Sequence, residues 1–376
     1  MKTRIEGLPT YQEVRGLLIT IVIVLLFVGV VMVFSSSAIY AYDKFGNSFY
    51  FLRKQIFWIL LGSLGLIFFK NFNYEKFKDI ARPLFLISIV ILCLVFVPHI
   101  GKAGGGARRW IQIFGFNFEP SEFVKLAFII YIAEAIFRKH EYMKSFIKGF
   151  LPYLVIMGII FGILIIQPDL GSIFLIGILG IIMLFVGGVK LGHIFLFFLS
   201  SLPVAFIMIV SAGYRLKRIM AFLDPWKDPR GVGFQIVQSF IAFGSGGFMG
   251  KGLGQGTQKL FYLPEAHTDF IFAIIAEELG LIGVTCILIL FGLIIWKGIN
   301  LALNTNEVFG KLLATGITSY IGLQAFMNMS VVTGLLPTKG MTLPFISYGG
   351  SSLIMNMIAI GILLNISKIK NEKSYY

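Results

Sequence analysis

Charged residues are scarce in this sequence. Only 13% of its 376 residues are charged, whereas 57% are hydrophobic and the mean hydropathy is +0.88. A soluble domain is about a quarter charged, so this chain has too little charge to cover its apolar residues with a water-facing surface. A soluble globular protein is therefore excluded, and we predict an integral membrane protein with one membrane domain.

Disulfide-forming and zinc-binding residues are also few. The two cysteines, Cys93 and Cys286, lie inside apolar runs, where small hydrophobic side chains are common. They provide no disulfide framework, and the four histidines are scattered without the spacing of a zinc site. The chain also lacks a basic arm, so no nucleic-acid partner is expected.

Long apolar segments dominate the chain. A helix needs about 20 mostly apolar residues to cross a bilayer. Alternating strands of about ten residues, which a membrane β-barrel requires, are absent. The sequence therefore predicts an all-α polytopic membrane protein with ten transmembrane helices and a large outer loop between helices seven and eight. The predicted spans lie near residues 17–37, 50–69, 80–98, 121–137, 150–166, 170–187, 191–212, 268–297, 309–334 and 344–367.

The basic residues indicate an orientation and leave a surplus. The formal net charge is +14. With both termini in the cytoplasm, seventeen Lys and Arg residues fall in inner loops and fourteen in outer ones, a bias that is clear where the loops are short. Ten of the outer charges lie in just two segments, 99–120 and 213–267. These two segments therefore need a functional explanation.

The outer basic loop, residues 99–120, contains Arg108, Arg109 and Trp110 after three consecutive glycines. One interpretation is ordinary contact of long basic side chains with lipid headgroups. The other is a phosphate clamp, because Arg matches phosphate oxygens in a bidentate manner. Both interpretations fit the sequence.

The large outer loop, residues 213–267, is too long for an unstructured connection in a compact protein. Within it, residues 231–243 predict a helix that lies in the outer membrane interface. The glycine-rich segment 244–256 that follows lacks the GxxxxGK[ST] pattern, so nucleotide binding is not indicated. An enzyme that forms bonds on this face, away from ATP, needs a substrate that arrives activated, such as a lipid-linked sugar pyrophosphate.

Asp269 is the candidate general base. Near the outer end of the eighth predicted helix, its carboxylate is placed to take a proton from a sugar hydroxyl as that oxygen attacks an anomeric carbon. The alternative is that Thr268 and Asp269 merely cap the helix, as short polar residues at a helix start often do. The local sequence supports the general base and the helix cap equally.

Other acidic residues have simpler expected roles. Glu122 and Lys125 are three residues apart, so a mutual ion pair is expected. Asp169 is expected to cap the next helix. Glu277 and Glu278 point about 100° apart on a helix, so the two side chains need different partners.

Several stretches resemble the signature sequences of the SEDS family, the bacterial FtsW, RodA and SpoVE polymerases. The most specific are PEAHTDFIFAIIAEELG at 264–280 and GLLPTKGMTLPFISYGGSS at 334–352. Supporting matches are GARRWI at 106–111, EPSEFVKLA at 119–127, QPDLGS at 167–172 and YRLKRIMAFLDPW at 214–226. They occur in the family's order across most of the chain, and LPTKG at 336–340 is more similar to FtsW and SpoVE than to RodA.

The resemblance implies a peptidoglycan glycosyltransferase that polymerises lipid II into β-1,4 glycan strands on the outer face of the bacterial cytoplasmic membrane, at the division septum. It implies Asp269 as the essential acid and a class B penicillin-binding protein and other divisome proteins as partners. No cofactor is implied beyond a divalent cation, Mg²⁺ or Mn²⁺, at the pyrophosphate. The substrate-binding candidates on the matching stretches are Arg108, Arg109, Trp110, Glu122, Lys125, Arg215, Arg218, Glu265, His267 and Lys339.

Two other functions remain open from the sequence. A lipid II flippase would place charges and broken helices near the middle of the bilayer, whereas most charges here are expected at the outer rim. A scaffold that only recruits a wall transpeptidase would not require Asp269 or the clustered arginines.

Overall fold

The computed structural model describes residues 11–104, 107–113, 115–260 and 262–372. Two of the three glycines predicted to relax the outer basic loop, at 105 and 106, lie outside the described residues. So do both chain ends, whose cytoplasmic location stays a prediction.

Helices dominate the described residues, as predicted. Twelve α-helices occur there: α1 Tyr11–Phe45, α2 Tyr50–Asn71, α3 Phe77–Cys93, α4 Pro120–Arg138, α5 Leu151–Ile166, α6 Leu170–Val186, α7 Leu191–Val210, α8 Gly213–Leu223, α9 Phe234–Gly246, α10 Ile271–Asn304, α11 Val308–Val332 and α12 Gly350–Glu372. Three short strands accompany them: β1 Gly101–Gly104, β2 Ala107–Ile113 and β3 Phe116–Phe118.

Each of the ten predicted spans contains one long helix. Six of the described helical segments, which include α1, α2, α3, α5, α10 and α12, are long and apolar enough to cross a membrane. The apolar segments Leu170–Val186, which is α6, and Leu191–Pro203, which is the first part of α7, are shorter. The polytopic membrane fold is therefore established, while the count of ten crossings stays a prediction.

The core of the bundle lies around α4 and α11. Fifteen of the 19 residues of α4 are buried, and 18 of the 25 residues of α11. By contrast, only three residues of α2 are buried, and none of the described side chains of α7. A helix that is buried all round belongs to the centre of a bundle, whereas one with an exposed apolar face borders lipid.

The outer segments contain more regular structure than the sequence predicted. Residues 99–120, expected to form an irregular loop, contain the antiparallel sheet β1-β2-β3. The helix predicted at 231–243 is present, three residues later, as α9, and α8 precedes it. The position of α9 in the membrane interface stays a prediction. The strands were missed because the glycines and arginines hide any alternation of polar and apolar residues.

Helix α10 begins at Ile271, not at residue 268 as predicted, and it is broken at Gly280, whose φ and ψ are 64° and −163°. The backbone groups freed by the break bind residues 247–252 instead of lipid. Four hydrogen bonds of 3.0–3.3 Å do this, from Lys251 N to Glu277 O, Gly252 N to Glu278 O, Leu281 N to Gly247 O and Ile282 N to Phe248 O. A broken helix is tolerated at membrane depth only when protein satisfies its backbone in this way.

Candidate active site

Asp269 lies in the connection between α9 and α10, just before α10 begins. The N-cap of α10 is Phe270, with no capping side chain. Among the described residues the Asp269 carboxylate accepts no hydrogen bond. The interpretation of Asp269 as a helix cap is therefore wrong, and its carboxylate is free for another role.

The backbone of Asp269 is held by α11. The Asn328 amide donates to the carbonyl oxygen of Asp269 at 2.8 Å and to that of Met341 at 2.6 Å. One buried side chain thus joins the two stretches that carried the strongest family resemblance. Asn328 has no distinctive sequence signal, because the same segment of α11 also contains Gln324 and Ser330.

Gly340 lets the α11–α12 connection approach the Asp269 carboxylate. A Cβ atom at this position would lie 2.8 Å from Asp269 Oδ2, closer than real Cβ contacts allow. Burial, with a smaller contribution from the charge of Glu265, raises the pKa of Asp269 to about 7, while Arg109 opposes the shift. A carboxyl group with a pKa near neutrality is well suited to accept and return a proton.

Arg109 reaches the site through an irregularity in the sheet. Lys102 pairs with Trp110 and Ala103 pairs with Arg108, so Arg109 is the extra residue of a β-bulge. Such bulges re-aim a side chain, and are common beside active sites. The bulge therefore gives the two arginines of the predicted phosphate clamp different surroundings: Arg109 is half-buried, whereas Arg108 is exposed.

The Arg109 guanidinium donates to the carbonyl oxygen of Pro168. Its Nε is buried and has no hydrogen-bond partner among the described residues. A buried guanidinium with an unused donor, close enough to lower the pKa of Asp269, is equipped to bind an anionic oxygen. Of the two arginines, only Arg109 contacts this part of the site, and the binding of phosphate by Arg108 and Arg109 stays a prediction.

Lys339 and Asp169 form the next part of the site. The Lys339 ammonium donates to the carbonyl oxygen of Leu170 at 3.3 Å and lies 4.5 Å from the centre of the Phe174 ring. Burial lowers the pKa of Lys339 to about 8, and the nearby Asp169 opposes this shift. As predicted, Asp169 caps α6, accepting from Ser172 N at 3.2 Å; its other oxygen is buried and unpartnered among the described residues.

The predicted ion pair of Glu122 and Lys125 is present and buried, with 2.7 Å between Nζ and Oε1. Tyr320 of α11 donates to the other oxygen of Glu122 at 3.0 Å. Burial raises the pKa of the neighbouring Glu119, and the charges of Glu122 and Asp169 add to the effect. The charges of Glu122 and Lys125 are therefore already paired with each other.

His267 packs among aromatic rings. Its ring centre lies 4.4 Å from that of Phe51, 5.7 Å from that of Tyr40 and 5.8 Å from that of Tyr348. Burial lowers the pKa of His267 to about 4, so it is neutral at pH 7. The structure gives this candidate a packing role, while the exposed Glu265 acts on Asp269 through its charge.

The remaining candidates lie away from these contacts. Arg215 and Arg218 are on α8, where Arg215 stacks on Tyr214 with 5.4 Å between the guanidinium carbon and the ring centre. Arg218 is exposed, and Trp110 is half-buried in β2. Their predicted contact with substrate stays a prediction.

A divalent cation would need ligands from the substrate. Among the described residues, no group of three or more His, Cys, Asp and Glu side chains could hold a metal ion. A Mg²⁺ ion can be held by one or two carboxylates together with phosphate oxygens. The predicted cation therefore stays a prediction, and the described residues do not form a complete site for it by themselves.

Glu277 and Glu278 form a second acidic group, on α10, and both side chains are fully buried. Glu277 binds Lys251 at 2.7 Å, and Glu278 binds Lys259 at 2.6 Å. As predicted from their directions on the helix, the two residues have different partners. Backbone and hydroxyl groups supply further donors: the N–H groups of Gly254, Thr257 and Gln258 and the hydroxyls of Ser35 and Thr257.

Known proteins resemble this chain over nearly its full length. The family model of the FtsW, RodA and SpoVE proteins, described as "Cell cycle protein", matches residues 15–372. "Probable peptidoglycan glycosyltransferase FtsW" of Geobacter sulfurreducens is 49% identical over 339 residues, which cover 90% of this chain and 91% of the relative. "Stage V sporulation protein E" of Bacillus subtilis is 44% identical over 352 residues, covering 94% and 96%.

Solved structures share the fold. One chain, from work on the "structural coordination of polymerization and crosslinking by a peptidoglycan synthase complex", gives a TM-score of 0.77 at 29% identity and covers 94% of this chain and 97% of its own. The rod shape determining protein RodA of Thermus thermophilus gives a TM-score of 0.67 at 25% identity, covering 93% and 95%. The family match, the relatives and the shared fold agree with the resemblance inferred from the sequence. The chain belongs to the FtsW, RodA and SpoVE family of cell cycle proteins.

Proposed function

We propose that this protein is a peptidoglycan glycosyltransferase that polymerises lipid II into β-1,4 glycan strands on the outer face of the cytoplasmic membrane. The observation that carries the proposal is the Asp269 carboxylate, which accepts no hydrogen bond among the described residues and has a pKa of about 7. The name of the Geobacter relative supports the same activity.

In the proposed reaction, Asp269 takes the proton from the 4-hydroxyl of the acceptor sugar. The hydroxyl oxygen forms a bond to the anomeric carbon of the donor sugar on the face opposite the diphosphate. The bond between that carbon and the diphosphate oxygen breaks, and undecaprenyl diphosphate leaves with both electrons. Attack from the opposite face inverts the configuration and gives the β-1,4 link, and Asp269 then releases its proton to water.

The cations of the site stabilise the departing diphosphate. The unused Nε donor of Arg109 and the partly buried ammonium of Lys339 are held in place by hydrogen bonds to backbone carbonyls before the substrate binds. Preorganised cations aimed at developing negative charge lower the barrier because little reorganisation is needed during the reaction. With a pKa of about 8, Lys339 is mostly protonated at pH 7.

Two observations bear on the alternative of a lipid II flippase. The break in α10 is a feature that transporters use, but here residues 247–252 bind every freed backbone group described above. Glu134, an acid within the predicted span 121–137, pairs with Arg82 and Arg138 near the end of α4 remote from Asp269. These pairings favour the polymerase over a transport pathway.

A crosslinking enzyme is the proposed partner. The solved synthase complex couples polymerization with crosslinking, and we propose a class B penicillin-binding protein as the corresponding transpeptidase for this chain, with other divisome proteins. The LPTKG stretch, which is more similar to FtsW and SpoVE than to RodA, supports action at the division septum. The distribution of Lys and Arg residues supports a cytoplasmic location for both termini.

The direct test uses purified protein with its partner and lipid II in detergent, followed by analysis of glycan strands. Wild-type protein is expected to form strands, and Asp269→Asn, which retains shape and hydrogen bonding but is not a base, to lose about 10²- to 10⁴-fold in rate. Asp224→Asn removes the same charge from the exposed part of the outer loop and serves as the control, with activity near wild type. Strand formation without a membrane compartment rules out a pure flippase, and equal rates for Asp269→Asn and wild type rule out the general base.

A further inference from the structure

An open cavity lined by several charged residues lies at the end of α4 remote from the candidate active site. Glu119 and Arg138 mark the two ends of this helix, about 28 Å apart at 1.5 Å per residue. The cavity has a volume of about 380 Å³ and lies between the start of α3 and the end of α4. Arg82, Arg138 and Asp79 line it, together with Glu134. With the predicted orientation, it faces the inner leaflet.

The two arginines share one internal counter-charge. Arg82 and Arg138 both bind Oε1 of Glu134, at 3.3 and 3.2 Å. The Glu134 side chain is only 8% exposed, whereas those of Arg82 and Arg138 are 51% and 44% exposed. Because a guanidinium has five N–H donors in a fixed fork, most donors of this pair remain available to a ligand with several anionic oxygens.

The same cavity offers carboxylate oxygens. Asp79 is exposed and forms no ion pair among the described residues, although it lies one helical turn before Arg82. Oε2 of Glu134 is buried without a hydrogen-bond partner in the described part of the chain. A ligand that combined a phosphate with a primary ammonium would therefore find partners for both charges.

Lys78 is not available to that ligand. It pairs with Glu307, which also accepts a hydrogen bond from Tyr74 at 2.6 Å. Its ammonium lies 4.8 Å from the ring centre of Phe137 and 5.5 Å from that of Phe309. Lys78 therefore forms part of the wall of the cavity, and the exposed donors of the cavity belong to the two arginines.

The face of α3 that carries Arg82 becomes apolar further into the bilayer. Leu86 and Val90, one and two helical turns beyond Arg82, are 64% and 61% exposed. Side chains at this spacing lie along one face, so an acyl chain attached to a headgroup in the cavity can run along them. A soluble phosphate compound would make no use of this surface.

We propose that the cavity between α3 and α4 binds the headgroup of a phospholipid whose phosphate carries a primary ammonium, as in phosphatidylethanolamine. Arg82 and Arg138 bind the phosphate, Asp79 binds the ammonium, and the acyl chains lie along Leu86 and Val90. This site is independent of the glycosyltransferase reaction and depends only on the position of the protein in the membrane.

Native mass spectrometry of the purified full-length protein tests the proposal, with phosphatidylethanolamine, its trimethylated analogue phosphatidylcholine and phosphatidylglycerol of identical acyl chains. Wild-type protein is expected to retain phosphatidylethanolamine about tenfold more strongly than phosphatidylcholine, since a quaternary ammonium offers no hydrogen-bond donors. Soluble phosphoethanolamine is expected not to displace the lipid. Displacement at equal concentration would overturn the lipid assignment in favour of a soluble phosphate ligand.

Two variants separate the parts of the site. Asp79→Asn is expected to abolish the preference over phosphatidylcholine while both lipids still bind. The triple variant Arg82→Gln, Arg138→Gln, Glu134→Gln leaves no unpaired buried carboxylate and is expected to lose all three lipids. Controls that change the net charge equally outside the cavity are Glu141→Gln for the first variant and, for the second, the lysine control, which combines Lys76→Gln, Lys144→Gln and Glu141→Gln.

The proposal is overturned if Asp79→Asn keeps the wild-type preference, or if the triple variant binds lipids as the lysine control does. Asp79 is exposed, so its replacement does not threaten folding. Because the readout is lipid retention, Asp269→Asn is expected to behave as wild type here. Loss of glycan synthesis and loss of lipid binding are therefore distinguishable failures.

Discussion

Asp269 and Glu278 are nine residues apart on one continuous stretch of chain, yet their surroundings differ in kind. Glu278 is fully buried and binds Lys259, Ser35 and the N–H of Gly254. Asp269 is partly buried, accepts no hydrogen bond among the described residues, and its pKa is raised to about 7. A buried carboxylate with a full set of donors is a fixed charge, whereas one without donors is ready to exchange a proton.

The glycine-rich segment explains how the fixed charges are built. A Cβ atom at Gly256 would lie 2.9 Å from Glu278 Oε1 and 3.0 Å from Glu277 Oε2. Glycine therefore lets the backbone approach both carboxylates. The segment lacks a nucleotide-binding pattern. It binds the carboxylates of Glu277 and Glu278 and forms hydrogen bonds with the backbone groups that the break in α10 leaves unpaired.

The largest expected effect is on stability, from Glu278→Ala. Removing this carboxylate leaves the Lys259 ammonium buried without a counter-charge, and breaking a buried pair costs about 3–5 kcal/mol. Thermal unfolding of the purified protein in detergent is expected at a clearly lower temperature. Asp269→Asn, which breaks no ion pair, is expected to unfold at the wild-type temperature.

Replacing both members of the pair sharpens the comparison. Lys259→Met with Glu278→Met leaves no unpaired charge, so it is expected to recover much of the lost stability. If Glu278→Ala instead unfolds as wild type and loses only glycan synthesis, Glu278 belongs to the active site and the distinction between the two regions collapses.

The pH dependence of the rate is the next largest effect. A general base must be deprotonated, so the rate rises with pH up to the pKa of Asp269, about 7. Below that pH the rate falls about tenfold per pH unit, to roughly one hundredth of the plateau two units lower. Initial polymerisation rates measured between pH 5 and pH 9 give this rising limb of the pH–rate profile.

Glu265→Gln provides the matched variant for this profile. The charge of Glu265 raises the pKa of Asp269, so its removal is expected to move the rising limb to lower pH. A limb that stays in place would show that another group controls the rate.

The two neighbouring arginines are expected to differ. Arg109 is half-buried, binds the carbonyl of Pro168 and lowers the pKa of Asp269, whereas Arg108 is exposed. Loss of a hydrogen bond to a charged group costs about 1.5–3 kcal/mol, so Arg109→Ala is expected to reduce kcat/KM for lipid II by about ten- to a hundredfold. Arg108→Ala, the matched control, is expected to change it by less than about twofold. Equal losses would restore the two-arginine clamp.

The sequence predicted most of what depends on local pattern. Apolar run length located the long helices, helical spacing predicted the Glu122–Lys125 pair, and Asp169 was predicted as a cap. Contacts between distant segments were not predictable. Lys259 lies 19 residues from Glu278 in a segment of no helical pattern, and no periodicity indicates that the two meet.

The sequence predicted the acidic residue of the site, Asp269, but not how the other side chains are arranged around it. Asp269 stood out as a carboxylate at the membrane surface, yet whether it capped α10 depended on where that helix begins. The bulge that separates Arg109 from Arg108 depends on pairing with β1 across glycines, and Asn328 acts through two backbone carbonyls that only the fold brings together. Each of these features is a tertiary contact without a local signal.

Gly340→Ala gives the smallest expected effect and the finest test of the free carboxylate. The new Cβ atom would lie 2.8 Å from Asp269 Oδ2, and the carboxylate can turn away because no hydrogen bond from the described residues fixes it. Misplacing the base without removing it is expected to lower the polymerisation rate several-fold, about 1 kcal/mol by the usual relation of rate to barrier, with unchanged thermal stability. Gly250→Ala is the counterpart in the fixed region: its Cβ would lie 2.2 Å from the Glu278 carbonyl oxygen at a φ of +79°, so stability is expected to fall there. If Gly340→Ala proved the less stable of the two, the Asp269 carboxylate would be held as rigidly as Glu278, and it would not be the free base.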